Sequence, residues 1–118
     1  MTTYTEPTRA SEIILSEGNG TISRESVTIA IGTGVVVVGT VLGKITSGGQ
    51  YSVYDNGLSD GTETAAGIAL EKVDATSATK TCAVLVRLAE VKSDLLSWHN
   101  TGDDAGLVEL AAKFIIAR

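Results

Sequence analysis

Ser97, His99 and Asp103 supply the residue types of a hydrolytic triad, in which histidine takes a proton from serine and a carboxylate orients the histidine. Their spacing works against that chemistry: all three fall in one short segment, and no glycine elbow surrounds Ser97 to hold it on a sharp turn. Cys82 needs an activating base to act as a nucleophile, and His99 is the single histidine of the chain. In the run TCAVLV it reads instead as a small buried apolar residue. With no second cysteine, an internal disulfide is ruled out and nothing points to an oxidising compartment.

Acidic and glycine-rich stretches raise metal and phosphate chemistry. Asp103 and Asp104 could bind calcium or move protons, but adjacent carboxylates at the start of a predicted helix fit capping better. Asp55-Asn56-Gly57 and Asp60-Gly61 resemble a calcium loop, yet Ala66 stands where a twelve-residue frame from Asp55 needs its closing acid. The segment GTGVVVVGTVLGKIT ends in a Gly-Lys pair like that of a phosphate cradle. Only Thr40, Val41 and Leu42 separate Gly39 from Gly43, and Ile45 follows Lys44 in place of a magnesium-binding hydroxyl. Gly32 and Gly34 precede a valine run of strong strand preference, whereas a dinucleotide fingerprint opens a helix. The segment therefore reads as two short strands, 35–38 and 40–45, bent at glycines, with Lys44 a solvated edge residue. No catalytic residue, cofactor site or metal site is expected.

The elements that would position any site are short. A chain of 118 residues makes one domain, able to bury about 65% of its unfolded surface. The alternation of Val27, Ile29 and Ile31 predicts a half-buried strand, after a turn at Gly18-Asn19-Gly20. Ser47-Gly48-Gly49 should turn a hairpin into a strand carrying Tyr51 and Val53. Turns at Asn56-Gly57 and Asp60-Gly61 precede a small-residue strand through Ala65, Ala66, Ile68 and Leu70, with further strands at 81–86 and 89–91. One helix should start near Thr101 or Asp103 and bury Leu107, Leu110, Ala111 and Phe114, before Ile115 and Ile116 return to the sheet. Residues 1–11, MTTYTEPTRAS, lack hydrophobic periodicity and hold the only proline, so they read as an extended arm ahead of a body at 12–118. The fold class is mixed α/β and β-rich: many short strands, one C-terminal helix, one compact domain and an N-terminal arm.

Charge narrows the partners. Nine Lys and Arg against fourteen Asp and Glu leave a net charge of −5, with the basic residues scattered singly. That is no nucleic-acid footprint, and five aromatic residues make a poor stacking platform. No apolar run reaches the length of a secretory signal or a membrane span, so a protein made in the cytoplasm and free of membranes is expected.

Taken in order, SEGNGTISRE, GTVLGKIT, YSVYDNGLSDGTETAAGIALEKVDAT, AVLVRLAEV and FIIAR resemble the lambda-type head decoration proteins of tailed bacteriophages, from about Glu12 to Arg118. The valine stretch from Gly34 to Val38 departs from the more polar or alanine-rich pattern usual in that family. The resemblance implies a non-enzymatic protein that sits as trimers on the outer surface of an expanded phage head, at threefold and quasi-threefold positions. There it would clamp subunits of the major capsid protein against internal DNA pressure. It also implies an N-terminal segment that pairs with capsid-protein strands, which places capsid binding on Thr2, Thr3, Tyr4, Thr5, Glu6, Pro7, Thr8 and Arg9. The rival readings are another phage structural or adhesion β domain of the tail or baseplate, a small carbohydrate-binding domain, or a hydrolase.

Overall fold

The computed structural model describes residues 10–20, 22–98 and 103–118. Among them run a short helix α1 (Ala10–Ile13) and the strands β1 (Ile14–Glu17), β2 (Arg24–Ile29), β3 (Gly34–Val36), β4 (Val41–Lys44) and β5 (Tyr51–Val53). Then come β6 (Ala65–Ala69), β7 (Val73–Ala75), β8 (Lys80–Leu85), β9 (Ala89–Val91), the helix α2 (Asp103–Ala112) and β10 (Ile115–Ala117). The predicted β-rich fold with one helix near the C-terminus is the fold observed.

Five strands close a barrel in the order β2-β5-β4-β6-β8. Every contact between neighbours is antiparallel except β2 to β5, which meet through the parallel pair Ile29 and Tyr51. Side chains from all five strands, among them Ile29, Leu42, Tyr51, Ala69, Cys82 and Val84, form one core cluster. The two-stranded β3–β7 ribbon adds Val36 and Ala75 to it. Alternate residues of β4, β6 and β8 point the other way and meet α2 and the sheet β1-β9-β10 in a second cluster around Ile13, Ile68, Leu85, Val91, Leu110 and Ile115. Strand β6 contributes to both clusters, which is why AAGIA is buried throughout and built of small residues.

The hairpin, the strands β8 and β9, and the return of Ile115 to the sheet follow the sequence expectations. Three expectations are corrected, and one strand is additional. Strand β2 ends at Ile29, because Gly32 donates its N–H to the Ala75 carbonyl (2.8 Å) as the chain turns toward the ribbon, and Ile31 is left 62% exposed. The α-helix stops at Ala112; Phe114 adopts φ 61° in the turn behind it and points into solvent, and Ala111 is exposed as well. Lys44 is exposed but not on an edge, since β4 is flanked by β5 and β6. Strand β7 has no counterpart in the sequence reading: its three residues include the exposed Asp74, and it is defined by pairing with the distant β3.

The glycines of the valine-rich stretch serve the bends. Gly39 (φ 94°) turns β3 toward β4, and a Cβ there would sit 2.6 Å from the Leu95 carbonyl oxygen. Gly43 lies so close to Thr62 that a Cβ would meet its Cα at 2.5 Å. The backbone that might have cradled a phosphate is packed against a neighbouring loop.

Candidate functional surface

The predicted arm, Thr2, Thr3, Tyr4, Thr5, Glu6, Pro7, Thr8 and Arg9, lies outside the described residues, as do His99 and Thr101. The chain immediately after the arm is well anchored. Ile13 at the end of α1 is fully buried, and its carbonyl accepts a hydrogen bond from the Lys92 N–H at 2.9 Å. Strand β1 then pairs with β9 alone in the order β1-β9-β10, so among the described residues its other edge has no strand beside it. A bulge between Ile14 and Ser16 leaves Leu15 48% exposed on that strand. A strand edge without a partner is a template for strand addition.

Exposed ion pairs brace this sheet. Arg24 donates two parallel hydrogen bonds to the Glu17 carboxylate, at 2.9 and 2.8 Å, and holds it below the usual carboxylate range. Glu90 accepts from Arg118 and, at 2.9 Å, from the Ser16 hydroxyl, and these bonds lower its pKa in the same order. Such pairs in solvent fix geometry more than they stabilise.

At the opposite end of the sheet two bulky apolar residues adopt left-handed backbone angles: Leu88 at φ 53° and Phe114 at φ 61°. Each conformation costs roughly 1–2 kcal/mol for a residue with a Cβ. They stand side by side, since Ala89 donates to the Phe114 carbonyl (2.9 Å) and Leu88 to the Lys113 carbonyl (3.4 Å). Phe114, the only phenylalanine, is 66% exposed and Leu88 41%.

Phe114 borders an open groove of about 760 Å³ whose walls also include Tyr51, Ala66, Val86, Lys44, Arg87, Lys113, Glu25 and Glu63. Arg87 pairs with Glu25 at 3.2 Å. Tyr51 is buried, and burial, reinforced by Glu25, pushes its hydroxyl up. The groove can hold a segment by charge and apolar contact, but it brings together no nucleophile with a base. Cys82 lies in the barrel core, fully buried, its thiol pushed up by burial. Ser97 bridges strands through its backbone, donating to Gly39 (2.8 Å) and accepting from Val41 (3.0 Å). Among the described residues no group of three or more His, Cys, Asp or Glu could hold a metal ion. Asp55 and Asp60 instead cap their own turns, accepting from the N–H groups of Gly57 (2.9 Å) and Thr62 (3.0 Å).

Sequence reasoning missed this groove because its members come from segments far apart in the chain. The one available signal was Lys113-Phe114 directly behind the helix, which the helical periodicity assigned to the core.

No curated protein matches the chain. A family model described as bacteriophage lambda head decoration protein D matches residues 3–115. That span takes in the barrel, the ribbon, α2 and most of the three-stranded sheet, and the chain therefore belongs to the bacteriophage lambda head decoration protein D family, structural proteins of the phage capsid.

Proposed function

We propose that the protein binds the outer surface of the expanded phage head as trimers at threefold and quasi-threefold positions and holds neighbouring major capsid protein subunits together against internal DNA pressure. The observation that carries this reading is the family match over residues 3–115, which includes seven of the eight residues of the N-terminal segment assigned to capsid binding. In this reading the chain is made in the host cytoplasm, has no enzymatic activity, and binds neither nucleic acid nor membrane. A net charge of −5 supports the absence of a nucleic-acid role.

Attachment runs through the arm of residues 1–11, with the body from residue 12 onward as the mass that sits on the lattice. Residues 2–9 add as a strand, supplying backbone hydrogen bonds, and Tyr4 inserts as a side-chain anchor. Pro7 cannot donate to a ladder, so pairing breaks or runs along an edge there. The edge of β1 that has no strand beside it among the described residues supports this mode, because it can take an added strand close to where the arm enters the body. Three attachments at one lattice site reinforce one another through effective concentration, so firm decoration needs no tight trimer in solution.

The test is deletion of residues 2–9, which leaves α1 whole. The deleted protein should keep its circular dichroism spectrum and melt within about 2 °C of the full chain, yet fail to co-sediment with undecorated expanded capsids. Equal decoration by both proteins would move the contact to the folded body. Reconstruction of decorated particles should show three copies at each threefold position; density confined to fivefold vertices would refute the placement.

A further inference from the structure

The groove beside Phe114 and the loop that carries Leu58 differ in charge. In a chain of net charge −5, Lys44, Arg87 and Lys113 line one groove together with Glu25 and Glu63, and Glu25 is paired with Arg87. Lys44 and Lys113 have no ion pair among the described residues. Beyond the groove, exposed Phe114 neighbours Leu88, and Ile22, 50% exposed, lies beside Leu88. A Cβ on Gly18 would lie 2.4 Å from Ile22 Cγ2 and 3.8 Å from Leu88 Cβ, which places those two side chains on one patch.

The loop between β5 and β6 has the opposite character. Leu58, 48% exposed, stands between Asp55 and Asp60, and no basic residue lies between β5 and β6. Its shape is fixed before any contact forms: the Leu58 N–H donates to the Asp55 carbonyl at 3.1 Å, and the Asp60 carboxylate holds the Thr62 N–H and hydroxyl. A preformed apolar tip set among acids can seat Leu58 against Phe114 while its carboxylates face Lys44 and Lys113 in this mixed groove.

We propose that the Phe114 groove of one copy receives the Leu58 loop of a second copy of this chain. The inference deepens the trimer reading and rests on it. A ring of three requires a heterologous interface, in which two different patches of each subunit meet. Groove and loop are two such patches, and they lie close together, because Gly61, Glu63 and Thr64 at the end of the loop form one wall of the groove. Left-handed Leu88 and Phe114 then have a use: their strained backbones hold outward the side chains that the next copy covers.

Disulfide trapping tests the contact. The double variant Leu58→Cys, Phe114→Cys is added to undecorated expanded capsids and oxidised; Cys82 is fully buried and stays out of the reaction. The expected product is a covalent trimer on a non-reducing gel, absent from either single variant. Should cysteines disturb the fold, a charge pair reads the same contact: Lys113→Glu should lose most of the trimer occupancy of capsids, and Ser59→Lys beside Leu58 should restore it. Particles that show three copies per site with neither the link nor the rescue overturn this interface and leave the trimer reading standing. Particles with isolated monomers overturn both. If deletion of residues 2–9 in the free protein shifts the amide signals of Lys113 and Phe114, the chain's own arm occupies the groove and the proposal fails.

Discussion

Trp98 stands edge-on to Tyr54, with ring centroids 5.9 Å apart and planes at 89°, and its six-membered ring lies directly over Gly106 of α2. A Cβ on Gly106 would come within 2.4 Å of Trp98 Cζ3. The glycine in a helix interior is therefore a seat for the indole. Trp98→Ala should destabilise by about 2–4 kcal/mol, from lost packing and a lost aromatic pair. Gly106→Ala should cost about 1–2 kcal/mol, overpacking outweighing the better helix propensity of alanine. In the Trp98→Ala background the same change should become neutral or stabilising. Urea unfolding of the four proteins checks this reversal of sign; additive losses would refute it.

Phe114 gives a test in which stability and assembly move in opposite directions. Phe114→Gly removes a left-handed residue with a Cβ and sacrifices little packing, since the side chain is 66% exposed. The free protein should gain up to about 1 kcal/mol, read as a higher melting temperature, while trimer occupancy of capsids falls. A less stable variant would mean that the phenyl ring packs within its own chain more than its exposure indicates.

Acid should weaken the fold in a defined direction. Glu17 and Glu90 are held low by arginines, and Asp60 and Asp74 by the hydroxyl and N–H of Thr62 and Thr76. A carboxylate with a depressed folded pKa stabilises above its unfolded value, and that stabilisation disappears as pH falls through the folded one. These four groups should leave stability flat between pH 6 and 8 and lower it progressively below about pH 4. Melting temperatures across that range provide the check. Arg24→Gln should shrink the part of the slope that belongs to Glu17.

Cys82 should be silent. Fully buried, with its Sγ 3.4 Å from the Ala83 carbonyl oxygen and burial pushing its thiol up, it should react with a thiol reagent only on unfolding. Cys82→Ala and Ser97→Ala should decorate capsids as the parent does. Rapid labelling of the native protein, or loss of binding without loss of stability, would point to a chemical role.

Much of the body was legible locally. Asn56-Gly57 and Asp60-Gly61 marked turns through the conformational needs of glycine and asparagine, and the apolar run at Cys82 to Leu85 marked β8 because a strand buried on both faces reads as continuous hydrophobicity. Helix α1 was not legible, since four residues are too few to display a period. Strand β7 depends on β3 for its definition, and Phe114 followed the helical pattern although the helix ends two residues earlier, at Ala112. The groove was the least legible feature. Glu25, Lys44, Arg87 and Lys113 become neighbours only through barrel closure, which no local pattern encodes.

The sheet β1-β9-β10 has one further consequence, a mechanical one. Ile14 and Ala117 register on the same residue, Val91, from opposite sides, while Glu17 and Ile115 register on Ala89 at the other end. The arm joins the first end and Phe114 the second. If the arm holds the capsid and a neighbouring copy fills the groove, as proposed, a swelling shell loads these strands along their length. Backbone hydrogen bonds that lie across the direction of pull share the force and must fail together, whereas a pull across the strands would open them one at a time like a zipper. With the proposed attachment at one end and the proposed contact at the other, the sheet would be loaded in shear, the direction in which three short strands resist best.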